Sequence, residues 1–214
     1  MRILFCKVPW MKYYQGVAAE GVSVEDIAAD HKHGFETMNF LPISVMDESG
    51  NMESELLLGY YETKMTADGK SSQTKIQNIN GCSHFTKEAL IDNVLVVWCA
   101  SQDAGTTGVV GWYKDATVFR NYQSVPINLD DGTVQEKLYN VIASAEDVLL
   151  LPESERGSEI WNVPHKNSKK GNPFGFYRSN VWYADEPEAR EFIKNLLYHI
   201  EHYSGKNGIY KEAE

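Results

Sequence analysis

A chain of 214 residues, 43% apolar and 23% charged, suits one domain with a well-filled core. No stretch approaches the roughly 18–20 consecutive apolar residues of a membrane span, so a bilayer is not among the expected partners. The net charge of −10 opposes non-specific binding to nucleic acid, which depends on Lys and Arg meeting phosphates.

The predicted elements run as follows. Residues 2–8, RILFCKV, alternate and read as a strand. Lys7 interrupts the apolar run too early for a signal-peptide core, so a cytoplasmic location is expected. Ser23 as N-cap and Asp26 at the third helical position predict a short helix over 23–30. FLPISVM (40–46) is extended, with Pro42 marking an edge or a strand start. ELLLGYYETK (55–64) is β-like, and TADGK (66–70) turns at its Asp-Gly pair. QTKIQNI (73–79) reads as a further strand, and Thr86 as the cap of a short helix, KEALI. VLVVWCA (94–100) is continuous, β-branched and aromatic, hence a strand buried on both faces. After the polar loop SQDAGTTG, the run GVVGWY returns as its hairpin partner. A period of two puts Trp112 on the face of Val110 and Tyr113 on that of Gly111, which leaves Tyr113 to packing.

ATVFRNY, EKLYNVIA and DVLLL supply more strands. The last element, 185–203, is a helix with Asp185 as N-cap and Pro187 in its first turn. Its apolar stripe is Ala189, Phe192, Ile193, Leu196, Leu197 and Ile200. Residues 1–204 are expected to form one domain, with 205–214 a flexible tail. The fold class is α+β: a curved, mostly antiparallel sheet of about six or seven strands, or a partial barrel, with flanking helices.

Several residue groups carry candidate chemistry. Aromatics cluster near turns: Trp10-Tyr13-Tyr14, Trp112-Tyr113, Trp161, Phe174-Phe176-Tyr177 and Trp182-Tyr183. Such faces beside lysines suit a planar ligand such as a nucleobase, and equally suit sealing the ends of a barrel. Asn39, between Met38 and Phe40, has the paired donor and acceptor that read a base edge or cap a turn. No acidic residue lies between Glu159 and Asp185, while Lys166, Lys169, Lys170 and Arg178, with His165, make that stretch basic. It is where an acidic protein can still dock on a polyanion.

Asp47, Glu62 and Lys64 resemble the acid pair and lysine of a metal-dependent nuclease, although so short a triplet is common by chance. Cys6, Cys82 and Cys99 have no metal-like spacing and read as reduced core residues. His31-x-His33 and the His199/His202 pair lack further convergent ligands, so no metal and no cofactor is expected.

Taken in order, these elements resemble the PUA-like superfamily that includes EVE, YTH and ASCH domains. The residues that carry the likeness are Asp92-Asn93-Val94-Leu95-Val96-Val97-Trp98, Gly108-Val109-Val110-Gly111-Trp112 and the GFETMNF stretch. They cover roughly half the chain. Nearly the whole length also resembles a group of uncharacterised bacterial proteins carrying MKYY-x-G and GWYK-x-ATV-x-R-x-YQ runs.

The superfamily resemblance implies a non-catalytic reader of a modified or flipped base in nucleic acid, most often DNA. It further implies an aromatic cage from Trp10, Tyr13, Trp112 and Trp182, with Asn39 on the base edge. Lys166, Lys169, Lys170 and Arg178 would contact phosphates. Some such domains sit in restriction systems, and a reader without an effector domain works with a partner protein or by occlusion. The residues alone leave two other functions open: a binder of free nucleotides or nucleotide signals, and the nuclease of Asp47, Glu62 and Lys64.

Overall fold

The structure, a computed structural model, describes residues 1–21, 34–63, 73–102, 106–128, 132, 134–167 and 171–210. Its strands are β1 (Arg2–Lys7), β2 (Pro42–Met46), β3 (Met52–Gly59), β4 (Leu90–Ala100), β5 (Thr107–Asn128), β6 (Val134–Ser144), β7 (Val148–Leu150), β8 (Asn162–Val163) and β9 (Val181–Trp182). They form one open mixed sheet in the order β2-β3-β6-β5-β4-β1-β9, with β7 and β8 pairing along β5. β1 runs parallel to β4, and the other strand pairings are antiparallel. A single α-helix among the described residues, α1 (Arg190–Glu201), follows β9.

β4 has the two-sided burial that its apolar run predicts. Val94, Val96, Trp98 and Ala100 enter one core layer together with Leu4 and Cys6 of β1. Leu95, Val97 and Cys99 enter the other, with Ile3 and Phe5. The helical stripe closes this second layer, where Ala189, Leu196 and Ile200 are buried and Phe192, Ile193 and Leu197 partly so. No helix among the described residues is long and apolar enough to cross a membrane.

The structure corrects several local expectations. Residues 73–79 are not a strand: Ile76–Asn78 form a 3-10 turn. Ile76 and Ile79 are one turn apart and both reach the core, a spacing that three residues per turn satisfies better than alternation does. The predicted KEALI helix is absent because Arg120 takes the local carbonyls. Its Nε donates to Glu88 O at 2.8 Å and its backbone N–H to Ala89 O at 2.8 Å. Leu90 and Ile91 are drawn into β4 instead, opposite Phe119 and Val118.

GVVGWY and ATVFRNY belong to one 22-residue strand, β5. α1 begins later than Asp185, after a 3-10 turn at Pro187–Ala189. Residues 205–210 do not fray. Asn207 Nδ2 donates to Val148 O at 2.7 Å, its Oδ1 accepts from Leu150 N at 3.0 Å, and Ile209 is 2% exposed. The predicted helix over 23–30, the turn at 66–70 and the last four residues lie outside the described residues.

The expected face-sharing of Val110 and Trp112 also fails. Trp98 pairs with Gly111 but Cys99 pairs with Val109, so Val110 is an extra residue, a β-bulge. Val110 and Tyr113 therefore share one core layer, while Val109 and Trp112 share the other.

Candidate functional site

β1 and β4 run in the same direction, so Lys7 and Ala100 finish at the same end of the sheet. Described parts of three connections lie there: 8–20 after β1, 101–102 and 106 between β4 and β5, and 164–167 with 171–180 between β8 and β9. Lys7 N donates to Asn180 O at 2.7 Å and Val8 N to Cys99 O at 2.8 Å, which ties the end of β1 to the stretch before β9 and to β4.

The segment after β1 is held by two charged groups. The Glu20 carboxylate accepts the N–H groups of Lys12, Tyr13 and Tyr14 at 2.7, 2.6 and 2.7 Å. Arg156, buried, donates from Nε to Leu151 O, from Nη1 to Met11 O and from Nη2 to Lys12 O, at 2.8, 2.6 and 2.8 Å. Its guanidinium carbon lies 5.7 Å from the Trp10 ring and 5.9 Å from the Tyr14 ring. The loop is thus fixed in shape, and Trp10 and Tyr13 remain half-exposed on it. Gly108 is required beside it, since a Cβ there would meet Arg156 O at 2.8 Å.

Residues 164–167 and 172–176 pair as a ribbon. Phe176 N donates to Pro164 O at 3.0 Å, Lys166 N to Phe176 O at 2.8 Å, and Asn167 and Asn172 exchange both backbone bonds. Gly175, at φ +108°, lies where a Cβ would be 2.0 Å from Pro164 O, so no larger residue fits.

The ribbon carries His165 to the mouth. His165 Nε2 is 2.5 Å from Thr107 Oγ1, which is 2.7 Å from Ser101 Oγ. Partial burial, then the charge of Lys7, hold the imidazole below its ordinary pKa. Lys7 is half-buried and has no carboxylate partner among the described residues. Among the described residues the corner is a hydroxyl–imidazole chain beside an ammonium with no carboxylate partner, chemistry suited to an anion.

The predicted site residues do not all converge here. Trp112 is 2% exposed and packs on Trp161 and Tyr203 in the layer under α1, at 5.5 and 5.6 Å. Trp182 lies in the same layer, its ring 4.5 Å from Phe5 and its Nε1 donating to Glu186 Oε2 at 2.7 Å. Asn39 is buried beside the opposite layer, next to Phe40, and its amide is committed to Tyr60. The sheet thus parts Trp112 and Trp182, in one layer, from Trp10, which packs against the other, and from Asn39 beside that other layer.

Among the predicted phosphate contacts, Lys166 is paired with Glu186 at 3.3 Å. Arg178 is exposed, its guanidinium over the Tyr177 ring at 5.2 Å. Lys169 and Lys170 lie outside the described residues. Lys7, Ser101, Thr107 and the site role of His165 were not foreseen. The signal that could have marked them is the switch from apolar to polar residues where β1 and β4 end together.

The acid pair of the nuclease triplet does not come together. Asp47 accepts from Ser49 N and Asn51 N, each at 2.8 Å, in the β2–β3 turn. Glu62 follows the far end of β3, so the two are separated by a strand length of about 25 Å at ~3.3 Å per residue. Lys64 lies outside the described residues, among which no group of three His, Cys, Asp or Glu could hold a metal ion.

Two surface grooves, of about 540 and 630 Å³, lie between α1 and the N-terminus, at the other end of β1. Arg190, Lys194 and Glu201 mix both charge signs along them, and none of the predicted site residues lines either. No family model, curated protein or solved structure matches the chain.

Proposed function

We propose that this chain is a PUA-like, non-catalytic reader that takes an exposed, modified or flipped nucleobase at the loop end of its sheet. Trp10 and Tyr13 supply the stacking faces, and Lys7, Ser101, Thr107 and His165 supply the polar contacts to the attached phosphate. The observation that carries this reading is the placement of Lys7. A half-buried ammonium with no carboxylate partner among the described residues, near a hydroxyl–imidazole chain, lies at the end of the sheet that also holds half-exposed aromatics on a braced loop. The three bonds to Glu20 and the two from Arg156 to Met11 O and Lys12 O fix the loop in advance, which reduces the ordering cost of binding.

The test is a binding panel at low salt, with oligonucleotides carrying modified and unmodified bases. Tight binding to a modified strand is expected, and Trp10→Ala should weaken it about 10- to 100-fold if the ring stacks on a base. Absence of binding to every oligonucleotide would remove this reading. A second reading, a free nucleotide as ligand, is favoured by the net charge of −10, which repels a long polyanion far more than a small one. Including mononucleotides in the panel separates the two.

A further inference from the structure

We infer that the corner formed by Lys7, His165, Thr107 and Ser101 is a subsite for a tetrahedral dianion, a terminal phosphate monoester rather than an internal diester, and that filling it draws a proton onto His165. This rests on the loop end being the binding site, and deepens it by naming the charge state of the group bound there.

The argument begins with the direction of the hydrogen-bond chain. Ser101 Oγ, Thr107 Oγ1 and His165 Nε2 follow one another at 2.7 and 2.5 Å, and each hydroxyl both donates and accepts. When only Nδ1 carries a proton, Nε2 must accept, so Thr107 donates to the ring and Ser101 donates to Thr107. The outer end of the chain is then a lone pair, which repels an anion. When both ring nitrogens are protonated, Nε2 must donate, both hydroxyls reverse, and Ser101 turns a donor outward. Protonation therefore adds a charge and excludes the arrangement, open to the neutral Nδ1–H ring, in which the chain ends in a lone pair. Both changes favour an anion.

The surroundings determine when this happens. The groups facing the imidazole are Thr107 on β5, the Phe176 ring at 6.2 Å across the ribbon, and Lys7 on β1. Lys166, the next residue, is turned away into its pair with Glu186. Partial burial and then the charge of Lys7, which no carboxylate among the described residues offsets, disfavour a second cation, and the ring stays neutral near pH 7. Two negative charges balance Lys7 and a protonated His165 together. One negative charge balances Lys7 alone and leaves the ring without reason to protonate.

Sulfate and methyl sulfate test this cleanly, because their charges of −2 and −1 do not change between pH 5.5 and 8. Sulfate affinity, followed by calorimetry on the full chain, is expected to rise as pH falls, approaching tenfold per unit above the ring's pKa. Calorimetry in buffers of different ionisation heat should register uptake of up to one proton. Methyl sulfate should bind more weakly and without that slope.

His165→Gln keeps a donor toward Thr107 but cannot charge, so its sulfate affinity should be flat with pH. Lys7→Met should raise the His165 pKa read from its NMR ring signals, an outcome independent of any ligand. Equal, pH-independent binding of both anions overturns the inference, and so does a His165 pKa unmoved by Lys7→Met. If sulfate fails to bind at pH 5.5 while a modified oligonucleotide binds, the subsite is wrong and the reader survives. If neither binds, both are lost.

Discussion

Asn39 commits both halves of its amide to the backbone of one residue, donating to Tyr60 O and accepting from Tyr60 N, each at 2.8 Å. Its own carbonyl accepts from the Tyr113 hydroxyl. An amide in that position is a splice between the 3-10 turn at Phe35–Met38 and the end of β3, and has no edge left for a base. Asn39→Ala leaves two backbone groups of Tyr60 without partners, and a loss of about 2–4 kcal/mol is expected in urea unfolding.

Lys137, on β6, is another buried polar residue whose role the sequence hides. It is fully buried, with Nζ donating to Phe35 O at 3.1 Å. Burial lowers its pKa from 10.5 to about 7, with Glu36 partly opposing the shift. Between those two values the unfolded chain holds a proton that the folded one lacks. Stability therefore rises with pH from about 7 upward through this group. Denaturant titrations from pH 7 to 10 should show that rise in the native protein, and a flatter profile in Lys137→Met.

At the scale of elements, the loop after β1 depends on Arg156 as much as on its own residues. One planar guanidinium reaches carbonyls of Leu151, Met11 and Lys12, which belong to two distant segments. Arg156→Lys retains the charge, but a single ammonium cannot span those three acceptors. A cost of about 2–4 kcal/mol in thermal or urea unfolding is expected, with ligand affinity falling alongside because Trp10 loses its support.

The strands β1, β4 and β6 and the stripe on α1 were legible because each depends on its own periodicity. What was not legible depends on partners far along the chain. Arg120 captured Glu88 and Ala89 and so replaced a helix by a strand start. The bulge at Val110 was invisible because it exists only in the register between β4 and β5, and it exchanged the faces on which the site argument had relied. In the site, Trp10 and Tyr13 were readable as exposed aromatics on a turn. Trp112 and Trp182 carry the same sequence signal and became core, since nothing local distinguishes a ring that seals a layer from one that waits for a ligand.

Over the whole molecule, a charge of −10 surrounds a proposed binding end with few free cations among the described residues. Lys7, Arg178 and a protonated His165 are the contacts available to phosphates among the described residues there. A single-stranded ligand meeting three of them gives a salt slope of about −2 in log K against log salt. A slope near −6 or steeper in a fluorescence titration would mean that a broader basic surface does the binding.

The parallel pairing of β1 with β4 sets an order of events in folding. Arg2 donates to the carbonyl of Asp92, 90 residues away, and Gln15 reaches Ile209 O across 194 residues. As the chain is synthesised, β1 emerges first but finds no neighbour until β4 has been made, and β9 comes later still. Contacts of such range close slowly, because the entropy of a long loop is lost before any pairing repays it. Lys7 is thus carried by the earliest strand into a corner completed by one of the latest segments, so the corner proposed to bind is complete only near the end of assembly. A chaperone that shields RILFCKV during that interval would be guarding the strand on which the site depends.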